Sequence, residues 1–408
     1  MNSDPRESLS RRRFVELASV GSAAAMLKTP SGLAAEAVVP LSEAYPLLTP
    51  ADEFYDVSRG KPVPHSLTGD ALKEAGLTPE TWRLDIAADT AVDPPVIQIP
   101  AQVEQPLSID YPTLLEMGKT HGVKYIKAMQ CLNISEPLGQ GLWEGVLLSD
   151  VLRLCGEIEH VRRIYYRGFH NNDPKQIFQS SVSYTQAMET PPGELPVILA
   201  YKLNGEPLSL ERGGPVRMLV PWAHGFKSIK WLQQIFLTND YRTNDTYALQ
   251  NNDPESYLKT AAYIDGGPAQ IRAGEAATIR GQVISGISGV ARVETLLQQV
   301  VGDDADIPDE KGDWKEATIQ SPPDWKKSLP KGILSADLLG FDAKTGEPSS
   351  WPLRYATAGW GATYPNLARG SYLIFARSVD QNGFAQPEPR AIRKSGKNML
   401  QSHRVEVV

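Results

Sequence analysis

Past residue 261 the chain loses every trace of a helical period. Ala277-Thr278-Ile279-Arg280-Gly281-Gln282-Val283-Ile284-Ser285-Gly286 alternates apolar and polar residues, and so does Val290-Ala291-Arg292-Val293-Glu294-Thr295-Leu296. That alternation is the pattern of half-buried strands. Residues 371–380 repeat it and close on Asn382-Gly383, a tight-turn pair. Strands with no helix between them can bury their apolar faces only against one another. A sandwich of two sheets over residues 259–408 is the expected result.

Upstream the texture is mixed. A strand is expected at residues 82–86 and a short helix at 111–117. A second helix is expected at 146–155, with Gly156 as its stop. Further strands are expected at 163–167, 197–201 and 216–220, with Asn204-Gly205 and Gly213-Gly214-Pro215 turning the chain between them. A length of 408 residues is too great for one core. The fold class is therefore α+β over residues 38–258, entered by a Pro-rich arm to about residue 64, and then an immunoglobulin-like β-sandwich. With 41% hydrophobic and 22% charged residues the chain reads as globular, and a net charge of -7 argues against nucleic acid as a partner.

Residues 1–37 read as a targeting segment. Ser10-Arg11-Arg12-Arg13-Phe14-Val15 carries the twin-arginine pattern, residues 17–27 are apolar, and small residues surround Ala34 and Ala37. That apolar run is too short to span a bilayer as a helix. The expectation is export to the periplasm by the twin-arginine route, with no transmembrane segment in the mature form.

The chemistry centres on Cys131. An apolar run, residues 123–129, ends in Gln130-Cys131, which a polar, Gly-rich turn and then Trp143-Glu144-Gly145-Val146 follow. A thiol at a strand end, facing a loop, suits a soft metal. The chain has two cysteines, and exported context also invites a disulfide between Cys131 and Cys155. Cys155, on the apolar face of the expected helix, can instead pack as a small hydrophobe. Arg217 and Lys230 sit where cations could grip a terminal phosphate, or could be ordinary surface charges. Arg59, Arg167, Arg212 and Lys227 could form a cationic pocket or be solvated. His224 is a candidate for the pocket rim. The sequence contains no haem-attachment motif and no dinucleotide fingerprint.

In order along the chain, these segments resemble the sulfite oxidase family of molybdopterin-dependent oxidoreductases. The resemblance rests on Met129-Gln130-Cys131 with Trp143-Glu144-Gly145-Val146, on Leu199-Ala200-Tyr201-Lys202-Leu203-Asn204-Gly205, and on Gly213-Gly214-Pro215-Val216-Arg217. It continues through Gly225-Phe226-Lys227-Ser228-Ile229-Lys230-Trp231, Trp360-Gly361, residues 377–387 and His403-Arg404-Val405. It implies a molybdopterin-binding domain followed by a dimerisation domain, and hence a homodimer. It implies Cys131 as the metal ligand, with Arg217, Lys230 and Lys227 on the cofactor and Arg59 and Arg212 in the reaction pocket. The implied activity is oxygen-atom exchange with a small anionic or sulfur substrate, sulfite to sulfate first. Electrons would leave to an external protein such as a c-type cytochrome. A sulfoxide-type reductase of the same cofactor class and a non-catalytic binding paralogue are the alternative readings. The chain departs from the family around the pocket: Val57-Ser58-Arg59-Gly60 holds no His, and Arg212 stands where a His is usual. The family's tyrosine over the metal has no counterpart at Gln250-Asn251-Asn252-Asp253.

Overall fold

Among the described residues, three sheets organise the chain. The computed structural model describes residues 45–89, 107–250, 252–300, 307–387 and 398–408, so the expected targeting segment, residues 1–37, lies outside the described residues. The first sheet runs in the order Leu107–Asp110, Arg83–Ala88, Leu232–Thr238, Arg163–Gly168, Gln179–Ser183. Its central pair, Arg83–Ala88 with Leu232–Thr238, is parallel, and the remaining pairs are antiparallel. The helix Tyr111–His121 packs on this sheet through the buried Leu114. It begins where the Asp110 carboxylate accepts the backbone N–H of Thr113, a helix cap, with Pro112 in the first turn.

The second sheet builds the site. Gly122–Gln130 pairs with Pro137–Leu147, which pairs with Ile198–Leu203, and Arg217–Leu219 lies on the far side of that strand. Two expectations are corrected here. The Gly-rich stretch after Cys131 is a strand rather than a turn, with reversal confined to the tip between Gln130 and Pro137. Its glycines serve close packing: a Cβ at Gly139 would stand 2.6 Å from the Phe54 ring, and one at Gly145 only 2.3 Å from Leu199 O. Because Val146 and Leu147 belong to that strand, the following helix is Leu148–Arg153, shorter than expected. Cys155 lies just past it, buried in the core, and burial pushes its thiol up to about 11. Both cysteines are free.

The third sheet has eight strands and folds over on itself. Lys315–Ile319 pairs with Thr357–Tyr364 on one arm and with Arg292–Gln299 on the other. Ile279, Val283 and Trp360 from the first arm share one core with Val293, Ile374 and Val405 from the second. Two layers thus close on a common apolar interior, as the alternating pattern requires. The described residues fall in one compact unit. None of their helices is long and apolar enough to cross a membrane.

Candidate active site

The strand Gly122–Gln130 delivers Met129 to a pocket, and Cys131 follows just beyond its end. The buried Gln130 amide ties down the tip, donating to Cys131 O at 3.2 Å and to Ile134 O at 2.6 Å. The pocket opens to solvent, and the empty space within it and its mouth together is about 1050 Å³. Separated segments line it, among them residues around Phe54 to Gly60, Cys131, Gly168 to His170, Phe178, Arg212 with Arg217, Phe226 to Trp231, and Tyr247.

Four of the cations singled out in the sequence meet here: Arg59, Arg212, Arg217 and Lys230. Arg212 and Arg217 are 3% and 4% exposed. Arg212 donates to Phe54 O at 2.9 Å and pairs with Glu211, while Arg217 donates to Arg212 O at 2.8 Å and Ser228 O at 2.5 Å. Burial, with Arg212 as a like-charged neighbour, pulls Arg217 down to about 9, so it is still cationic at neutral pH. Lys230 donates to Asp56 at 2.8 Å, Ser58 Oγ at 2.7 Å and Glu211 O at 2.7 Å. Burial and Arg217 bring it down to about 8, against the opposing pull of Asp56. Gly213, at φ +100°, makes room for this lysine, because a Cβ there would lie 2.7 Å from Lys230 Cγ.

At the mouth, the Arg59 guanidinium lies 4.4 Å from the Phe178 ring centroid and 5.0 Å from that of Tyr247. It also donates to the Tyr247 hydroxyl. Phe226 packs on Tyr247 at 4.7 Å between centroids. Burial raises the Tyr247 phenol and the nearby Cys131 adds to that, with Arg59 opposing. Tyr247 is the residue that sequence reasoning missed. It stands immediately before the turn Ala248–Gln250, three places ahead of the stretch 250–253.

Three other candidates stand apart from the pocket. Lys227 does not line it: 1% exposed, its ammonium meets the equally buried Asp245 carboxylate at 3.0 Å and Ser181 O at 2.7 Å. The expectation that Lys227 contacts the cofactor is corrected accordingly, since its charge is already matched inside the protein. His224 is buried, with Nδ1 3.1 Å from Ser256 O, and acts in packing rather than at the rim. Arg167 stacks over Phe236 at 4.7 Å and donates to Gln179 at 2.8 Å.

The pocket residues suit an anionic, metal-bearing cofactor. The half-buried Cys131 offers a soft donor, and the buried Nε atoms of Arg212 and Arg217 have no hydrogen-bond partner. Buried donors of this kind call for an acceptor, and a phosphate supplies several. Residues 76–246 match the family model of the oxidoreductase molybdopterin binding domain. Mitochondrial sulfite oxidase of Drosophila melanogaster is 31% identical over 116 residues, which are 28% of this chain and 19% of that protein. The mouse enzyme of the same name is 31% identical over 130 residues, 31% of this chain and 22% of that protein. A nitrate reductase of Betula pendula is 33% identical over 132 residues, 30% of this chain and 14% of that protein. The chain belongs to the sulfite oxidase family of molybdenum oxidoreductases. Its cofactor is molybdopterin. The family match spans only a fraction of each of those relatives. The fold likeness reaches further: the sulfane dehydrogenase SoxCD of Paracoccus pantotrophus aligns with a TM-score of 0.54 at 18% identity, covering 95% of this chain and 93% of that one. Arg212, Arg217 and Lys230 line the same pocket as the Cys131 thiol.

Proposed function

We propose that this member of the sulfite oxidase family is a periplasmic oxidoreductase that exchanges an oxygen atom with a small sulfur compound, sulfite being the first candidate. One observation carries the reading: Cys131 and the cations Arg59, Arg212, Arg217 and Lys230 reach one pocket from four separated segments. Cys131 would supply the thiolate to molybdenum, and Arg217 and Lys230 would hold the cofactor's phosphate. When bound, the cofactor supplies the centre that passes the oxygen atom and two electrons. The chain's own groups do the rest. Arg59 and Arg212 place positive charge where an oxyanion would sit, and the Tyr247 hydroxyl adds a donor beside it. Oxidation of sulfite with water yields sulfate, two protons and two electrons, and the electrons would leave to a separate carrier such as a c-type cytochrome.

A sulfoxide-type reductase is the second reading. The aromatic mouth around Arg59 favours it, because Phe178, Phe226 and Tyr247 suit a substrate with an apolar body. Purified protein loaded with molybdenum separates the two. Sulfite-dependent reduction of cytochrome c or ferricyanide supports the first, and oxidation of reduced viologen by sulfoxides supports the second. Stoichiometric molybdenum with neither activity would leave the non-catalytic binding reading. We further propose residues 38–258 as the catalytic domain and the folded-over sheet of residues 259–408 as an immunoglobulin-like dimerisation domain, for which light scattering should give a dimer mass. Export is checked by exchanging Arg11 and Arg12 for Lys, which should hold the precursor in the cytoplasm.

A further inference from the structure

Lys227 and Asp245 form a buried ion pair, each 1% exposed, that the reaction pocket itself does not use. A pair so deep is weak evidence for stability, since desolvation offsets most of its attraction. Its surroundings suggest a different use. Asp245 stands two residues before Tyr247, and Lys227 directly follows Phe226. The two rings it flanks are the ones that pack together at 4.7 Å beside Cys131. The turn carrying Phe226 abuts the cysteine strand, as a Cβ on Gly225 would lie 3.3 Å from Gln130 O.

Both ends of the pair are themselves anchored. The Asp245 carboxylate accepts from Ser181 Oγ at 2.5 Å and from Ser180 Oγ at 3.3 Å. Ser181 Oγ in turn accepts from Arg163 at 3.0 and 3.1 Å. Thr246, between Asp245 and Tyr247, bonds Gln179 in both directions, at 3.0 Å through its N–H and 2.9 Å through its hydroxyl. On the other side, Lys227 donates to Ser181 O, and its own carbonyl accepts from the Tyr166 hydroxyl at 2.8 Å. The pair therefore joins two turns that are also tied to each other through Ser181. Any slip between them moves Phe226 across Tyr247, whose hydroxyl holds Arg59.

We propose that Lys227 and Asp245 are positioning residues that set the register of the Phe226–Tyr247 wall, and with it Arg59, against Cys131. This rests on the pocket being the reaction site. The geometric part is tested without turnover. In protein labelled with 3-fluorotyrosine, the Tyr247 line is assigned by Tyr247→Phe and followed in Asp245→Asn. We expect that line to shift or broaden, with changes elsewhere limited to Tyr165 and Tyr166, which also lie near Asp245. The variant Lys227→Met with Asp245→Leu removes both charges at similar volume; we expect it to fold and to show the same displaced Tyr247 line. In molybdenum-loaded enzyme, Asp245→Asn should lower kcat/KM about tenfold, but less than about twofold when Tyr247 is already Phe, the non-additivity of residues acting as one unit. An unmoved Tyr247 line, or an equal loss in both backgrounds, overturns the proposal. So does failure of both variants to fold, which would assign the pair to stability alone. If the parent enzyme turns over no sulfur compound, the proposed function fails while the resonance measurement still decides the positioning.

Discussion

Two groups of buried cations lie side by side in this domain, and they are treated in opposite ways. Lys227 and Arg163 meet carboxylates: Asp245 at 3.0 Å and Glu255 at 3.8 Å. Arg217 bonds to carbonyl oxygens, and Arg212 to one carbonyl and to the part-exposed Glu211, and both keep buried Nε donors without partners. Lys230 is intermediate, borrowing Asp56 from the arm at the pocket wall. A cation matched inside the protein is architecture. A cation left partly unmatched in a pocket is prepared for an anion from outside. Lys127 fits neither group: it is fully buried and, among the described residues, donates to Ala128 O at 2.8 Å and Ala223 O at 3.5 Å.

The sharpest break between the two groups is at the pocket. Cys131→Ser should reduce turnover to background while the melting temperature stays within a degree or two of the parent, because a hydroxyl is a poor substitute for a thiolate toward a soft metal. Full activity in that variant would remove Cys131 from the metal. On the architectural side, Asp245→Ala leaves the Lys227 charge buried and unmatched, and should cost about 3–5 kcal/mol in a denaturant titration. Arg217→Met should behave in reverse. Removing one of several crowded like charges should cost the cofactor-free protein less than about 2 kcal/mol. Molybdenum and pterin per chain should fall severalfold, and equal loading of variant and parent would mean that Arg217 is architecture after all.

The smallest effect is expected at Lys127. Burial first, and then Arg217, pull it down to about 7 from an ordinary value near 10.5. Between those values the unfolded chain binds more protons than the folded one, so stability should rise with pH across that window. Below pH 7 both states are protonated at this residue and the penalty of its buried charge is constant. Lys127→Met should therefore stabilise the protein by about 1–2 kcal/mol at pH 7 and flatten the rise between pH 7 and 10. Melting curves of parent and variant with parallel pH dependence would show that Lys127 does not titrate there.

Local pattern determined a good part of this molecule. Alternation placed the strands Ala277–Ile284, Arg292–Gln299 and Gly370–Val379, and helical spacing placed Tyr111–His121. Both periods depend on which face of an element meets the core, and a face is written into consecutive residues. The motif around Cys131 and the Gly-Gly-Pro-Val-Arg frame likewise marked a thiol and a guanidinium that do share a pocket. Other features were decided only in three dimensions. Pro137–Leu147 reads as a turn because of its glycines, yet it is a strand whose glycines admit Phe54 and the Leu199 backbone. Leu232–Thr238 and Thr357–Tyr364 sit inside sheets, buried on faces that no simple alternation reveals. Lys227 and Lys230 occupy one short motif, three residues apart, and nothing in their spacing says which meets a buried carboxylate and which meets the pocket. Tyr247 reaches Arg59 across 188 residues of chain. Residue type and spacing could name what chemistry is present, but pairing of charge and closure of a pocket depend on which distant segments fold against each other, and that is a property of the tertiary structure alone.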